Sequence, residues 1–265
     1  MRGRIAASIL VICMLLITGC NEVEIGPKRQ VTEYSEKLFD LDKSLELGFE
    51  SNSGNLEFYS WGKKQIKFEI TKLIRGIGTS EKLQDKLANF NIETSQKDSS
   101  IYFNSSYKGR INNPADKRTD VKIYLPKKVK SISLSVDVGK VTFYDDIACN
   151  LDINMDMANI DINRFEGKIN LKGDMGNLRI GGGRLSGEST VDVNMGNIDI
   201  KSIYDTNGNS SFSTKLGNIL LQFPGKSRIS VESIGDLKQN DFINSKYTSK
   251  VKVESGMGKI EVKEY

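Results

Sequence analysis

The chain of 265 residues contains no histidine. That excludes histidine-based nucleophilic triads and histidine-ligated zinc. Ser-x-x-Lys occurs at Ser60, Ser105 and Ser249. A serine nucleophile of that type needs a helix start and companion motifs, and Ser60 instead ends an alternating, strand-like stretch. Asp152-x-Asn154-x-Asp156 has the opening spacing of an EF-hand loop. Met157 stands where that loop needs Gly, however, and Asn163 where it needs Glu. Gly181-Gly182-Gly183 is not followed by a helical pattern, so it reads as a turn and not a phosphate cradle. One further set has chemical potential: Asp137, Asp156, Asp174 and Asn194, each two positions before a recurring small residue. Carboxylates stacked at strand spacing could bridge a Ca²⁺ ion, but a strand face offers few of the six to eight oxygens it wants. The alternative is plain repulsion between like charges, eased by Lys140 and Lys172. No catalytic residue and no cofactor are expected, and the chain reads as a non-enzyme.

The element that positions these residues is a repeat. Its phrase is an apolar residue, then Gly, then Asn, Lys or Asp, then an apolar residue. The small residues are Gly139, Ala158, Gly176, Gly196, Gly217, Gly235 and Gly258, separated by 19, 18, 20, 21, 18 and 23 positions. Before each, apolar and polar residues alternate, as in Ile132, Leu134 and Val136, and after it the alternation resumes out of phase. Period-two alternation marks a half-buried strand, and a skipped step at Gly marks a bend. A period near twenty marks stacked repeats. The expected fold is all-β: a right-handed, single-stranded β-solenoid of seven consecutive coils, with corners at these residues. Gly54, in Ser53-Gly54-Asn55-Leu56, sets the corner of a founding coil. Asn159, Asn177, Asn197 and Asn218 form a candidate amide ladder. Met157, Met175 and Met195 read as core filling.

Four segments follow. Residues 1–19 read as a signal peptide, with Arg2 and Arg4 before an apolar run from Ile5 to Ile17 that is too short to span a bilayer. Ile17-Thr18-Gly19-Cys20 resembles the bacterial lipoprotein box, which implies cleavage before Cys20 and diacylation of its sulfur. Residues 20–40 read as a lipidated tether. Residues 41–126 hold the founding coil and a capping insertion: strands near Gln65–Ile70, 91–94, 101–103 and 121–125, and a short helix from Ser80. Residues 127–265 are the repeat array. Of three cysteines, Cys149 would remain the one free thiol of the mature chain. The formal charge of +4 falls to +2 without Arg2 and Arg4, which argues against a nucleic-acid partner. The Lys127-Lys128-Val129-Lys130 cluster reads as a solvated turn.

The span from Phe39 to Val262 resembles the bacterial putative-adhesin family. The matching pieces are Ser53-Gly54-Asn55-Leu56 followed by Trp61-Gly62, the Val121–Pro126 strand, and the serial Gly-Asn-Ile-Asp-Ile units. The resemblance implies an envelope-associated protein with no established activity. The expected function is a lipid-anchored scaffold or adhesin-like binding module on the outer side of a bacterial membrane, with an envelope protein or a glycan as partner. The alternatives are a polymerising bactofilin-like protein or a carbohydrate-active β-helix enzyme. The last repeat, Val251 to Val262, is expected to form an uncapped end whose charges keep the protein monomeric.

Overall fold

The computed structural model describes residues 26–265 apart from 187, 205–207 and 245. The first half contributes β1 (Arg29–Asp40), β2 (Leu45–Ser60), β3 (Gln65–Gly76), β4 (Phe90–Lys97), β5 (Ser100–Tyr107) and β6 (Lys117–Leu125). The repeats follow as β7 (Val129–Ala148), β8 (Asn150–Gly167), β9 (Ile169–Met175), β10 (Leu178–Ile180), β11 (Gly183–Leu185), β12 (Thr190–Met195), β13 (Ile198–Lys201) and β14 (Ile203–Tyr204). The last strands are β15 (Asn209–Leu216), β16 (Ile219–Phe223), β17 (Ile229–Asn240) and β18 (Ser249–Glu264). All eighteen belong to one hydrogen-bonded sheet. Helix α1 (Ser80–Asp85) is capped by the Thr79 hydroxyl, which accepts from the Lys82 N–H, and a 3-10 turn at Lys86–Asn89 continues it. Leu83, Leu87 and Phe90 of this segment pack with Ile74 in a small second core.

The all-β class holds, with 72% of residues in strands, but the solenoid does not: the parallel strands close into an eight-strand β-barrel. The small residues were expected to be corners separating flat faces. Instead the ladder passes unbroken through the first of them. Gly54 pairs with Gly139, and Gly139 with Ala158, inside unbroken strands of 16, 20 and 18 residues. At Gly176, Gly196 and Gly217 the strand is interrupted for two residues, between β9 and β10, β12 and β13, and β15 and β16, but backbone bonds such as that from the Gly196 N–H to the Leu216 carbonyl at 2.9 Å cross the gap. A parallel sheet that bends at every repeat while staying bonded to its neighbours curls, and curling is what closure requires.

Successive repeats pair in parallel and in register, so equivalent side chains align. Leu56, Val141, Ile160, Leu178, Ile198, Ile219 and Ile260 form one fully buried row. Phe58 and Phe143, two residues on, stack at 4.2 Å. The bend glycines occupy positive φ, +155° at Gly196. A Cβ there would lie 1.7 Å from the Gly176 carbonyl oxygen, so the neighbouring backbone excludes any side chain. Ala158, in the same column, is buried and outside positive φ.

The asparagine ladder forms as expected. Each side-chain oxygen accepts both the backbone N–H and the amide of the next Asn, at 3.0 and 2.8 Å from Asn177 to Asn159 and at 2.9 and 3.0 Å from Asn197 to Asn177. Asn218 continues the series and itself accepts from the Lys259 N–H at 2.9 Å. The amides thereby satisfy N–H groups that the bend turns away from ordinary ladder partners.

Three expectations are corrected. Residues 29–40, expected as part of a tether, form β1, which pairs antiparallel with β3 along its whole length. Met157, Met175 and Met195 are exposed, because the chain presents two successive residues outward before each bend. The last two repeats are also inverted in space. β18 lies between β15–β16 and β17, so Val251–Val262 is interior and β17 pairs with β18 alone among the described strands. The physical reason is strand quality. β18 buries Val251, Val253, Ile260 and Val262 completely, whereas β17 is largely exposed and bulged between Ile234 and Asp236 and between Leu237 and Gln239. A bulged, charged strand is well suited to an edge.

Candidate functional site

The residues that gather on one outward face come from β1, β3, β6 and β2. Alternation sends Val121, Ile123, Leu56 and Phe58 inward, so Asp120, Lys122, Tyr124, Glu57 and Tyr59 face solvent. Strand register then builds rows across the sheet. Glu36 pairs with Glu69, Glu69 with Lys122, and Lys122 with Glu57. Leu38 pairs with Lys67, Lys67 with Tyr124, and Tyr124 with Tyr59.

The second row extends into an aromatic ladder. Tyr59 stacks on Tyr144 at 4.9 Å and on Tyr124 at 5.4 Å, and Trp61 lies 5.6 Å from Tyr124. The Lys67 ammonium sits 4.4 Å from the Tyr124 ring centre. Hydroxyls are fixed by carboxylates: Tyr59 donates to Glu57 at 2.8 Å, Tyr124 to Glu69 at 3.1 Å, and Tyr34 to Glu36. Burial and the hydrogen bond to Glu57 hold the Tyr59 phenol protonated well above its usual range. The hydrogen bond to Glu36 pushes Tyr34 up to about 12. These rings are neutral donors at any physiological pH.

Beside the ladder is a cleft of about 310 Å³ walled by Tyr34, Asn55, Glu57, Glu69, Asp120 and Lys122, among others. Burial works against the charge of Glu69, but hydrogen bonds from Lys67 and Tyr124 outweigh it and leave the carboxyl below its ordinary range. Asp120 accepts the Asn55 N–H at 2.9 Å and is held by Arg118 at 2.8 Å. The cleft thus offers fixed carboxylate acceptors, lysine and amide donors and an exposed tyrosine.

The residues singled out in the sequence lie elsewhere. Cys20, the lipidation candidate, lies outside the described residues. Asp137 accepts from Asn52 at 2.6 Å, and Asp174 accepts from Asn194 at 2.6 Å, so amides bind carboxylate oxygens of the column proposed for Ca²⁺. Among the described residues no group of three His, Cys, Asp or Glu could hold a metal ion. Gly54, Gly139, Gly176, Gly196, Gly217, Gly235 and Gly258 all bend at positive φ. Gly235 does so in the irregular β17. Cys149 is buried, and burial pushes its thiol up to about 12, with Asp152 adding to the effect. Sequence reasoning missed the tyrosine–carboxylate face. The available signal was the outward phase of Glu57-x-Tyr59 and Lys122-x-Tyr124.

No family model matches the chain, and no curated protein matches it. Solved structures do. A putative adhesin from Bacteroides fragilis is 17% identical, with a TM-score of 0.55 over 87% of this chain and 97% of that one. A putative cell adhesion protein from Clostridium sporogenes is 16% identical, with a TM-score of 0.40 over 89% of this chain and 100% of that one. The first of these similarities is one of fold. No helix of the described residues is long and apolar enough to cross a membrane.

Proposed function

We propose that this protein is a non-enzymatic binding module of the bacterial cell surface, adhesin-like, anchored through lipid on Cys20, and that the Tyr34 cleft receives a neutral glycan. The observation that carries the reading is the cleft itself. Carboxylates at Glu57, Glu69 and Asp120 can accept from sugar hydroxyls, Lys122 can donate, and the exposed Tyr34 ring offers an apolar wall for the C–H side of a pyranose. Tyrosine is suited to this work because its rigid, amphipathic ring loses little entropy on binding. The fold similarity to the putative adhesin from Bacteroides fragilis agrees with this role. The experiment is a glycan array probed with the wild-type protein and with Tyr34→Ala. Selective retention of neutral oligosaccharides, lost in Tyr34→Ala, is the expected result. Retention that the substitution leaves unchanged would remove the cleft from the function.

A further inference from the structure

A second cavity, of about 470 Å³, lies at the ends of the loops that follow β1, β2 and β6. Its lining brings together Lys43, Lys63, Lys64, Lys127 and Lys128 over an apolar floor that includes Leu41 and Pro126. Asp42 is the one carboxylate in that lining. The three loops are distant in sequence, and Lys127 and Lys128, read from the sequence as part of a solvated turn, are brought beside Lys43, Lys63 and Lys64. None of the five lysines has an ion-pair partner among the described residues; Lys63 instead lies 4.7 Å from the Trp61 ring centre.

The backbone holds this arrangement in place. The Leu41 N–H donates to the Lys64 carbonyl at 3.0 Å, the Leu45 N–H to the Lys128 carbonyl at 3.0 Å, and the Trp61 N–H to the Leu125 carbonyl at 2.9 Å. The Lys43 N–H donates to the Ser99 hydroxyl at 2.9 Å. Each loop is therefore fastened to a neighbour, and five lysines against the single carboxylate of Asp42 leave a net positive charge on a rigid frame. Such an arrangement raises the local potential and concentrates anions.

We infer that this cavity is a binding site for a phosphodiester-bearing ligand, with the phosphate among the lysines and the adjoining carbon chain on Leu41 and Pro126. The lining supplies five ammonium groups and no arginine, so the phosphate would be held by converging point charges and not by a fixed guanidinium fork. The cavity volume is in the range of small-molecule sites. Two sources could supply the group: a soluble polyol-phosphate polymer or a phospholipid headgroup. The site lies at the Asp40 end of β1, a twelve-residue strand, so it stands about 40 Å from the Arg29 end towards which the Cys20 tether would run. This separation favours the soluble polymer over the anchoring membrane.

The test uses the full-length protein in detergent and two probes. One is an oligomer of glycerol phosphate, with unphosphorylated oligoglycerol as control. The other is a vesicle of phosphatidylcholine with or without phosphatidylglycerol. The expected result is binding of the phosphorylated oligomer alone, weakened at least tenfold in Lys63→Gln/Lys127→Gln and weakened by added salt. Lys172→Gln/Lys226→Gln, which removes two exposed lysines elsewhere, should leave the affinity unchanged. Tyr34→Ala should do the same, which separates this site from the proposed glycan cleft. Binding confined to phosphatidylglycerol vesicles and lost in the same double variant would keep the phosphodiester site and assign it to a headgroup. Failure of both probes to bind, or equal losses in the two lysine double variants, would overturn the inference.

Discussion

Replacing Gly196 by alanine should be among the most damaging single-methyl additions this chain can suffer. The added Cβ would lie 1.7 Å from the Gly176 carbonyl oxygen and 2.6 Å from its carbonyl carbon, at a φ of +155°. Neither neighbour can yield cheaply, because both atoms belong to the ladder that joins successive repeats. Backbone strain of this kind costs about 1–3 kcal/mol. Displacing packed backbone adds about 1–3 kcal/mol more. A total of about 2–6 kcal/mol is therefore expected, which for a domain of this size lowers the melting temperature by about 4–24 °C. Ala158→Gly tests the same column in reverse. Ala158 has no positive φ, so the substitution should cost only about 1 kcal/mol, through lost burial and backbone entropy. Asp199→Ala, on an intermediate surface position three residues after Gly196, should stay within about 0.5 kcal/mol. The assay is thermal and urea unfolding of all three variants followed by far-ultraviolet circular dichroism. If Gly196→Ala unfolds within about 1 kcal/mol of the wild type, the neighbouring backbone does not approach the bend as closely as described.

Other consequences are open to measurement. Asn177→Ala removes an acceptor used by both the Asn197 N–H and its amide, and should cost about 1–2 kcal/mol by urea denaturation, with Asn177→Asp less damaging because it keeps an acceptor. Cys149 should resist thiol reagents in the folded protein and react fully once unfolded. Its thiol is raised from 9.0 to about 12, so the neutral form is favoured by folding; this contribution is complete below pH 9 and is lost as pH rises towards 12, which alkaline melts would detect. Cys20→Ala should release the protein from the membrane fraction, and an unchanged mature mass in that fraction would refute lipid anchoring.

Much of the local structure can be read in the residues, because it depends on neighbours in the chain. The Asn ladder follows from one amide recurring at one offset, and the founding repeat from Ser53-Gly54-Asn55. What eludes such a reading depends on competition between distant segments. The Met157, Met175 and Met195 column changes sides because the bend presents Asp156 and Met157 outward in succession, and alternation alone does not count that extra step. β1 looks like a polar tether because it is mostly exposed and its order comes from the antiparallel ladder to β3. The inversion of β17 and β18 is decided by which strand buries more, and the two lie adjacent in sequence either way. Closure of the sheet is a property of all its bends together. The binding face is harder still: Tyr34, Glu57, Glu69 and Lys122 meet only because four strands from separate stretches align.

The measurement that bears most directly on the central claim joins binding to product analysis. A neutral oligosaccharide retained on the array would be titrated against the protein while the fluorescence of its single tryptophan, Trp61, is recorded, since Trp61 packs against Tyr124 at the edge of the cleft face. Mass spectrometry of the same samples after prolonged incubation would follow the glycan. The account predicts a saturable change, abolished in Tyr34→Ala and weakened at least tenfold in Glu57→Gln, with the oligosaccharide recovered intact. Cleavage of the glycan that depends on Glu57 or Glu69 would contradict it and make this surface an enzyme.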